Sequence, residues 1–461
     1  MPPHPTRLRY RFGGSTSPRT RGEVSSPARL DRYRPQCYDV ARKAGTHHMN
    51  AEGDDSSAYG VESAYAWRRL ATALAFSTIG GAGMWSVVVA LPAMQAEFGV
   101  DRAAASLPYT FVMLGFGLGG IYMGRLADRF GIALPLMLGA LALGLGYVAV
   151  GLSANLWQVA LAHGLLIGFG GSVTFGPLMA EMSHWFTRRR GIAVALAASG
   201  NYTAGTLWPP VVQHFIAADG WRLTHIGVGL FCLATMLPLA FMLRRRLAGG
   251  HSAAADGAAA RVQAVMPVSP LALQVLLCIA GVSCCVAMAM PQVHIVAYCG
   301  DLGYGVARGA EMLSLMLGFG IISRIGSGFI ADRIGGVRTL LLGSLLQGVA
   351  LLLYLMFDGL FSLYVISALF GLFQGGIVPM YAIIIREYFS PREAGARVGL
   401  VIMATVVGMA LGGWLSGAIF DYSGSYQAAF LNGLLWNLLN VSIMFFLLLR
   451  SRRAPVFAAG V

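Results

Sequence analysis

Gly124-Arg125-Leu126-Ala127-Asp128-Arg129-Phe130-Gly131 closes one long apolar run of this chain, and Gly328-Phe329-Ile330-Ala331-Asp332-Arg333-Ile334-Gly335 closes another. Every matched position is separated by the same 204 residues, 328 less 124. A Gly-x-x-x-Asp-Arg-x-Gly string is weak alone, but twice, at the same end of corresponding runs, it marks an internal duplication. Each string has a local physical reading. Gly124 and Gly328 permit close helix approach, Asp128 and Asp332 can cap a helix or pair with an arginine of a neighbouring helix end, and Gly131 and Gly335 allow a sharp turn. With Arg129 and Arg333 these residues form a latch on one face of a bundle, made of contacts that can be broken.

The surrounding composition decides what kind of bundle this is. Of 461 residues, 56% are hydrophobic and 11% charged, with 60 glycines; the mean hydropathy is +0.66. A soluble domain carries roughly a quarter charged residues, so this is a membrane chain. At about 20 apolar residues per helical span, twelve crossings fit. The apolar runs lie near 70–92, 106–124, 132–152, 156–183, 191–215, 223–243, 271–298, 309–330, 338–356, 360–385, 395–419 and 427–449. The fold class read from them is an all-α membrane protein of twelve transmembrane helices in two six-helix halves.

Placing the N-terminal tail inside puts nineteen arginines on the cytoplasmic side and leaves Arg102, Arg222 and Arg308 outside. That asymmetry predicts a multi-pass protein of the cell inner membrane with both termini cytoplasmic. It also explains the net charge of +13 without nucleic acid, because the basic residues sit at the ends of apolar runs and in a tail. Residues 1–66 read as a disordered basic tail, or as a start-site artefact before Met49. The expected domains are then a first bundle at 67–246, a cytoplasmic linker at 247–269, a second bundle at 270–453 and a short tail at 454–461. The six cysteines have no paired spacing for a metal, and the chain is expected to carry neither metal nor cofactor and to be a monomer.

Further motifs narrow the family. Trp185-Phe186-Thr187-Arg188-Arg189-Arg190-Gly191-Ile192-Ala193 precedes Ala198-Ser199-Gly200 and Gly205; the first span carries Gly80-Gly81 and Trp85; and Asp421 to Asn440 contains Tyr426-Gln427-Ala428-Ala429-Phe430-Leu431-Asn432-Gly433. With the duplicated loop, the chain from 67 to 453 resembles the major facilitator superfamily, and these strings are similar to its monocarboxylate transporter and oxalate/formate antiporter group. The resemblance implies two bundles rocking about a central site, with short organic carboxylates as substrates. It also implies a substrate-binding arginine in span eight. Two departures stand out: the acidic residue found one turn before that arginine in animal monocarboxylate transporters is Gly320 here, and span eleven lacks the lysine of oxalate-type members.

Arg324 is the charge that falls well inside a span. It lies 13 residues from Glu311 and eight from Asp332, about 20 and 12 Å along a helix. Its duplicate counterpart is Gly120, so the scaffold does not require a cation there. Burying it costs at least roughly 2.5–3.5 kcal/mol, which a bound carboxylate offsets through a charge-assisted pair. The bland alternative is an arginine snorkelling to the headgroups. No carboxylate occupies mid-span, which disfavours a cationic substrate. His294 and His163 are the candidates for proton coupling, although a lone buried histidine is more often packing. Asn201, Tyr202, Gln374, Gln292 and Tyr381 are polar groups within spans and the further candidates for substrate binding beside Arg324, although each alone is more often packing; the family geometry would turn the first three toward the pore. The glycine strings 115–120, 168–171 and 371–376 lack the strand and Lys-Ser/Thr of a phosphate loop and read as close helix packing.

The expected function is secondary active transport of small organic anions, monocarboxylates first, by proton symport or anion exchange. An efflux carrier for another anion or a neutral compound is the alternative within transport. A membrane substrate sensor on the same fold is the alternative of another class. No nucleophile with a base appears in a span, so enzyme chemistry is not expected.

Overall fold

The structure is a computed structural model, and it describes residues 60–186, 188–245 and 268–451. The tail expected before residue 60, most of the expected linker and the C-terminal tail lie outside the described residues. The described residues are helical almost throughout. Its spans are α1 (Ala64–Phe98), α2 (Arg102–Phe130), α3 (Ala133–Gly151), α4 (Leu156–Trp185), α7 (Pro270–Asp301), α8 (Val306–Ile334), α9 (Gly336–Met356), α10 (Leu360–Tyr388) and α12 (Tyr426–Ser451), with α11 at Pro391–Ser423. Between α4 and α7 one stretch, Arg190–Met242, runs for 53 residues. At 1.5 Å per residue that is about 80 Å, far beyond an apolar layer of about 30 Å. The stretch is broken at Gly220 (φ 80, ψ 160), which separates α5 (190–219) from α6 (221–242). Eleven long apolar helices therefore make twelve crossings.

Local chemistry sets the helix ends. Ser63, Asp101, Asn155 and Ser269 each accept a hydrogen bond from the backbone N–H three residues on, as N-caps do. Gly131 (φ 81) and Gly335 (φ 84) end α2 and α8 in a left-handed backbone that other residues resist. The turn reading of the duplicated loop thus holds. The close-approach reading does not: a Cβ on Gly124 or Gly328 would meet nothing within 4 Å, because in this conformation neither glycine faces another helix. The helical chain also starts at Ala64, inside the stretch expected to be tail. Glu62 ties that start to the turn after α4: its N–H donates to the Trp185 carbonyl (3.0 Å), and its carboxylate accepts from the Arg189 N–H (2.7 Å).

Three apolar clusters hold the bundle. One lies within the first half and includes Phe76, Leu136, Tyr147 and Trp185; another lies within the second half and includes Leu277, Leu340, Tyr381 and Met444. The third joins the halves, with Trp85, Tyr109 and Tyr202 of the first against Val293, Leu317 and Tyr426 of the second. Large apolar side chains such as Leu165, Leu271 and Phe361 stay exposed, the arrangement a bilayer covers. The start of α1, the end of α12 and the duplicated loops share one end of the bundle, called the Arg-rich end below; Arg102, Arg222 and Arg308 mark the Arg-poor end.

Candidate functional site

Two helices are interrupted at matching places in the halves, and the second interruption builds the site. In α10 the helix stops at Gln374 and resumes at Ile377; in α4 a π turn at His163–Gly168 leads into a 3-10 turn at Ser172–Thr174. Interruptions in corresponding spans are where carriers place their ligands. The α10 break has a sequence cause. The Gly375 carbonyl would normally accept from the N–H four residues on, but that residue is Pro379, which has none. The Nε–H of Arg324 on α8 donates to this freed oxygen (3.4 Å).

Arg324 is half-buried and turned toward the other half of the molecule. Its Nη1 donates to the Ala198 carbonyl of α5 (3.2 Å), and its guanidinium carbon lies 4.2 Å from the centre of the Tyr202 ring, within range of a cation–π contact. Among the described residues no carboxylate lies within ion-pair distance of it. Gly320, one turn before it, now has a reason. A Cβ there would collide with the Cε1 and Cδ1 of Tyr202, so the aromatic ring occupies the space in which an acidic side chain would start. A second proline repeats the device. Pro210 leaves the Thr206 carbonyl of α5 free, and Ser314 of α8 donates its hydroxyl to that oxygen.

The other expected residues divide. Tyr202 belongs to the Arg324 cluster, as the contact above shows. Asn201 turns to α1 instead, its side-chain amide nitrogen 3.7 Å from the Met84 sulfur, while its backbone carbonyl accepts from Trp85 Nε1 (3.2 Å). Gln374 is fully buried with both amide atoms unpartnered, and Gln292 keeps a buried, unpartnered Oε1. Buried polar atoms of this kind are costly unless something pairs them. Tyr381 is not brought to Arg324: its hydroxyl donates to Asn440 Oδ1 (3.3 Å), and Asn440 in turn donates to Ser344 (2.7 Å), a network among α10, α12 and α9. His163 is also fully buried, in the first half, with Nδ1 on the Val159 carbonyl (2.8 Å), Nε2 unpartnered and the His225 ring centre at 6.1 Å. His294 bonds to Gly413 (2.8 Å) and Tyr426 (3.3 Å) at the Arg-poor end. Asp128, Arg129, Asp332 and Arg333 are exposed at the Arg-rich end, and among the described residues neither aspartate has a side-chain hydrogen-bond or ion-pair partner.

Sequence reasoning missed two buried arginines. Arg102, left among outer charges, is 7% exposed and meets Asp301 (3.1 Å). Arg69 is 2% exposed and pairs with Glu181 (2.6 Å). The signal available was opposite charge at the same end of neighbouring spans.

A twelve-crossing bundle of two halves, its loops duplicated and its α4 and α10 interrupted in register, agrees with the profile of the Major Facilitator Superfamily, which matches residues 73–360 and 312–460. The chain belongs to the major facilitator superfamily. Within it, Monocarboxylate transporter 13 of Bos taurus is 28% identical over 312 residues, covering 66% of this chain and 71% of that one. The MFS-type transporter pynF of Aspergillus niger is 25% identical over 306 residues, covering 66% and 69%. A bacterial homologue of the human lysosomal transporter Spinster, solved inward-facing and occupied, superposes with a TM-score of 0.60 at 15% identity, over 84% of this chain and 96% of that one. The superfamily consists of non-enzymatic membrane transporters, so the chain is a multi-pass carrier of a small molecule.

Proposed function

We propose that this carrier moves small organic anions, monocarboxylates first, by alternating access, with Arg324 as the anchor of the carboxylate. The carrying observation is a guanidinium at the seam of the two halves with no acidic partner among the described residues. Of its five N–H donors, one goes to Gly375 and one to Ala198, so three are left for an incoming anion. Tyr202 beneath the guanidinium and the carbonyls beside it hold the fork in place, which lowers the ordering cost of binding. Because the anchor's partners come from both halves, an anion bound there touches the seam along which the halves move. Likeness to monocarboxylate transporters supports the substrate class.

A proton can travel with the anion either on His294 or His163 or as the protonated substrate itself. The Arg-rich end is assigned to the cytoplasm, with both termini there, in a cell inner membrane, and the carrier acts as a monomer. Counterflow in proteoliposomes against lactate, pyruvate, formate, oxalate and cyanate tests the reading. Exchange of monocarboxylates that slows at least about tenfold in Arg324→Gln supports it; unchanged kinetics in that variant overturns it.

A further inference from the structure

Several of the hydrogen bonds that join the halves at the Arg-poor end meet at Arg102. The Arg102 guanidinium, on α2, donates to both oxygens of Asp301 on α7 (3.1 and 3.2 Å) and to the Tyr426 hydroxyl on α12 (2.5 Å), and it lies 4.8 Å from the centre of the Phe420 ring. Asp421 on α11 accepts from the backbone N–H groups of Arg102 (2.8 Å) and Ala103 (2.7 Å). One element of the first half is thus clasped by three of the second.

The network continues to His294, and the direction of its hydrogen bonds is fixed. The Gly413 carbonyl can only accept, so Nε2 of His294 carries the hydrogen in the 2.8 Å contact. In a neutral imidazole Nδ1 is then bare, and the Tyr426 hydroxyl must donate to it across 3.3 Å. The Tyr426 oxygen is left to accept from Arg102. Neutral His294 therefore completes the clasp with every donor matched to an acceptor.

We propose that this clasp reads protons: protonation of His294 at Nδ1 reverses its bond to Tyr426 and releases the Arg-poor end. With a hydrogen on Nδ1, the Tyr426 oxygen faces two donors, and its own hydrogen loses its acceptor. A second positive charge also stands beside Arg102. The other ionisable groups nearby are Tyr109 on α2, packed against Gly413, Asp301 and Tyr298 on α7, Asp421 on α11 and Tyr426 on α12; Asp301 and Asp421 are already engaged by Arg102. Glu97 on α1 and Glu311 on α8 have their own partners, Arg222 and Arg308. Lower pH therefore favours the arrangement open at this end, and higher pH favours the clasp. The inference rests on alternating access and not on Arg324 binding an anion.

Spin labels at Ala96→Cys and Tyr422→Cys, both exposed, allow pulsed electron resonance to measure the opening in the full chain in nanodiscs without substrate. Between pH 8 and pH 5.5 the ratio of long to short distances is expected to rise roughly tenfold. His294→Gln should remove that response. Tyr426→Phe, which deletes the hydroxyl with little change of shape, should raise the open fraction already at pH 8. Arg324→Gln should keep the pH response even while transport is slowed, which separates this inference from the substrate reading. An unchanged pH response in His294→Gln, no response in the parent, or a Tyr426→Phe variant as closed as the parent at pH 8 overturns the proposal.

Discussion

At the scale of single residues, the chemistry of Arg324 is set by what its neighbours lack. Gly320 has no side chain and Pro379 has no N–H; the first admits the Tyr202 ring and the second frees the Gly375 carbonyl. Replacing the guanidinium with Gln should lower kcat/KM for a monocarboxylate roughly 10- to 100-fold, from the loss of one charge-assisted hydrogen bond worth about 1.5–3 kcal/mol. Lys should recover little of it, since an ammonium cannot reproduce the fork that reaches Gly375, Ala198 and a carboxylate together; uptake kinetics of both variants check this. Pro379→Ala restores a donor that competes with Arg324 Nε for Gly375. The expected result is a KM raised about fivefold, the equivalent of one neutral hydrogen bond near 1 kcal/mol, with thermal stability kept. Gly320→Ala should destabilise the fold by about 1–3 kcal/mol through overpacking against Tyr202. Tyr202→Ala in the same chain should relieve part of that loss, and a double-mutant cycle on thermal unfolding reads the coupling.

At the scale of elements, burial decides which charges matter. Arg69 near the start of α1 donates to Glu181 of α4 (2.6 Å), to the Leu243 carbonyl (3.1 Å) and to the Arg245 carbonyl (3.0 Å). Trp185 stacks on its guanidinium at 4.4 Å and donates to the same Glu181 oxygen (2.9 Å). This cluster binds α1, α4 and the end of α6 into one unit. Glu181→Gln strands a buried guanidinium and should cost about 3–5 kcal/mol, whereas removing both partners as Arg69→Met with Glu181→Gln should cost less; denaturant unfolding of the three variants discriminates. The spans themselves were legible in sequence because length, hydropathy and arginine placement are additive along the chain. The boundary between α5 and α6 was legible for the same reason, and the duplicated glycine turns were legible from the repeat, while the part of Gly220 was not. The role of Arg69 was not, since an arginine at a span end reads as a headgroup charge until the partner across the bundle is known. Arg324 could be singled out by its depth alone. Its carbonyl partners could not, although Pro379 carried the signal, and Tyr381 was misplaced because helical position says nothing of which neighbour a hydroxyl reaches.

At the scale of the whole molecule, the two ends are in opposite states. At the Arg-poor end Arg102 ties the halves through Asp301, Tyr426 and Asp421, while at the Arg-rich end Asp128 and Asp332 stand exposed, without side-chain partners among the described residues. Duplicated aspartates that lack side-chain partners among the described residues in this conformation are explained if their partners belong to the alternative one, in which the Arg-rich end is closed. The consequence differs from that of an ordinary stabilising residue. Asp128→Asn and Asp332→Asn should leave thermal unfolding within about 0.5 kcal/mol of the parent, as surface substitutions do. Transport should nevertheless slow several-fold, because removing about 1 kcal/mol from one of two exchanging states shifts their ratio roughly fivefold. Restoring charge by swapping partners, Asp128→Arg together with the arginine it meets changed to Asp, should return part of the rate. Equal losses of stability and transport in the Asn variants would assign these residues to the fold itself, and undiminished transport would leave the closed Arg-rich end to be held by other contacts.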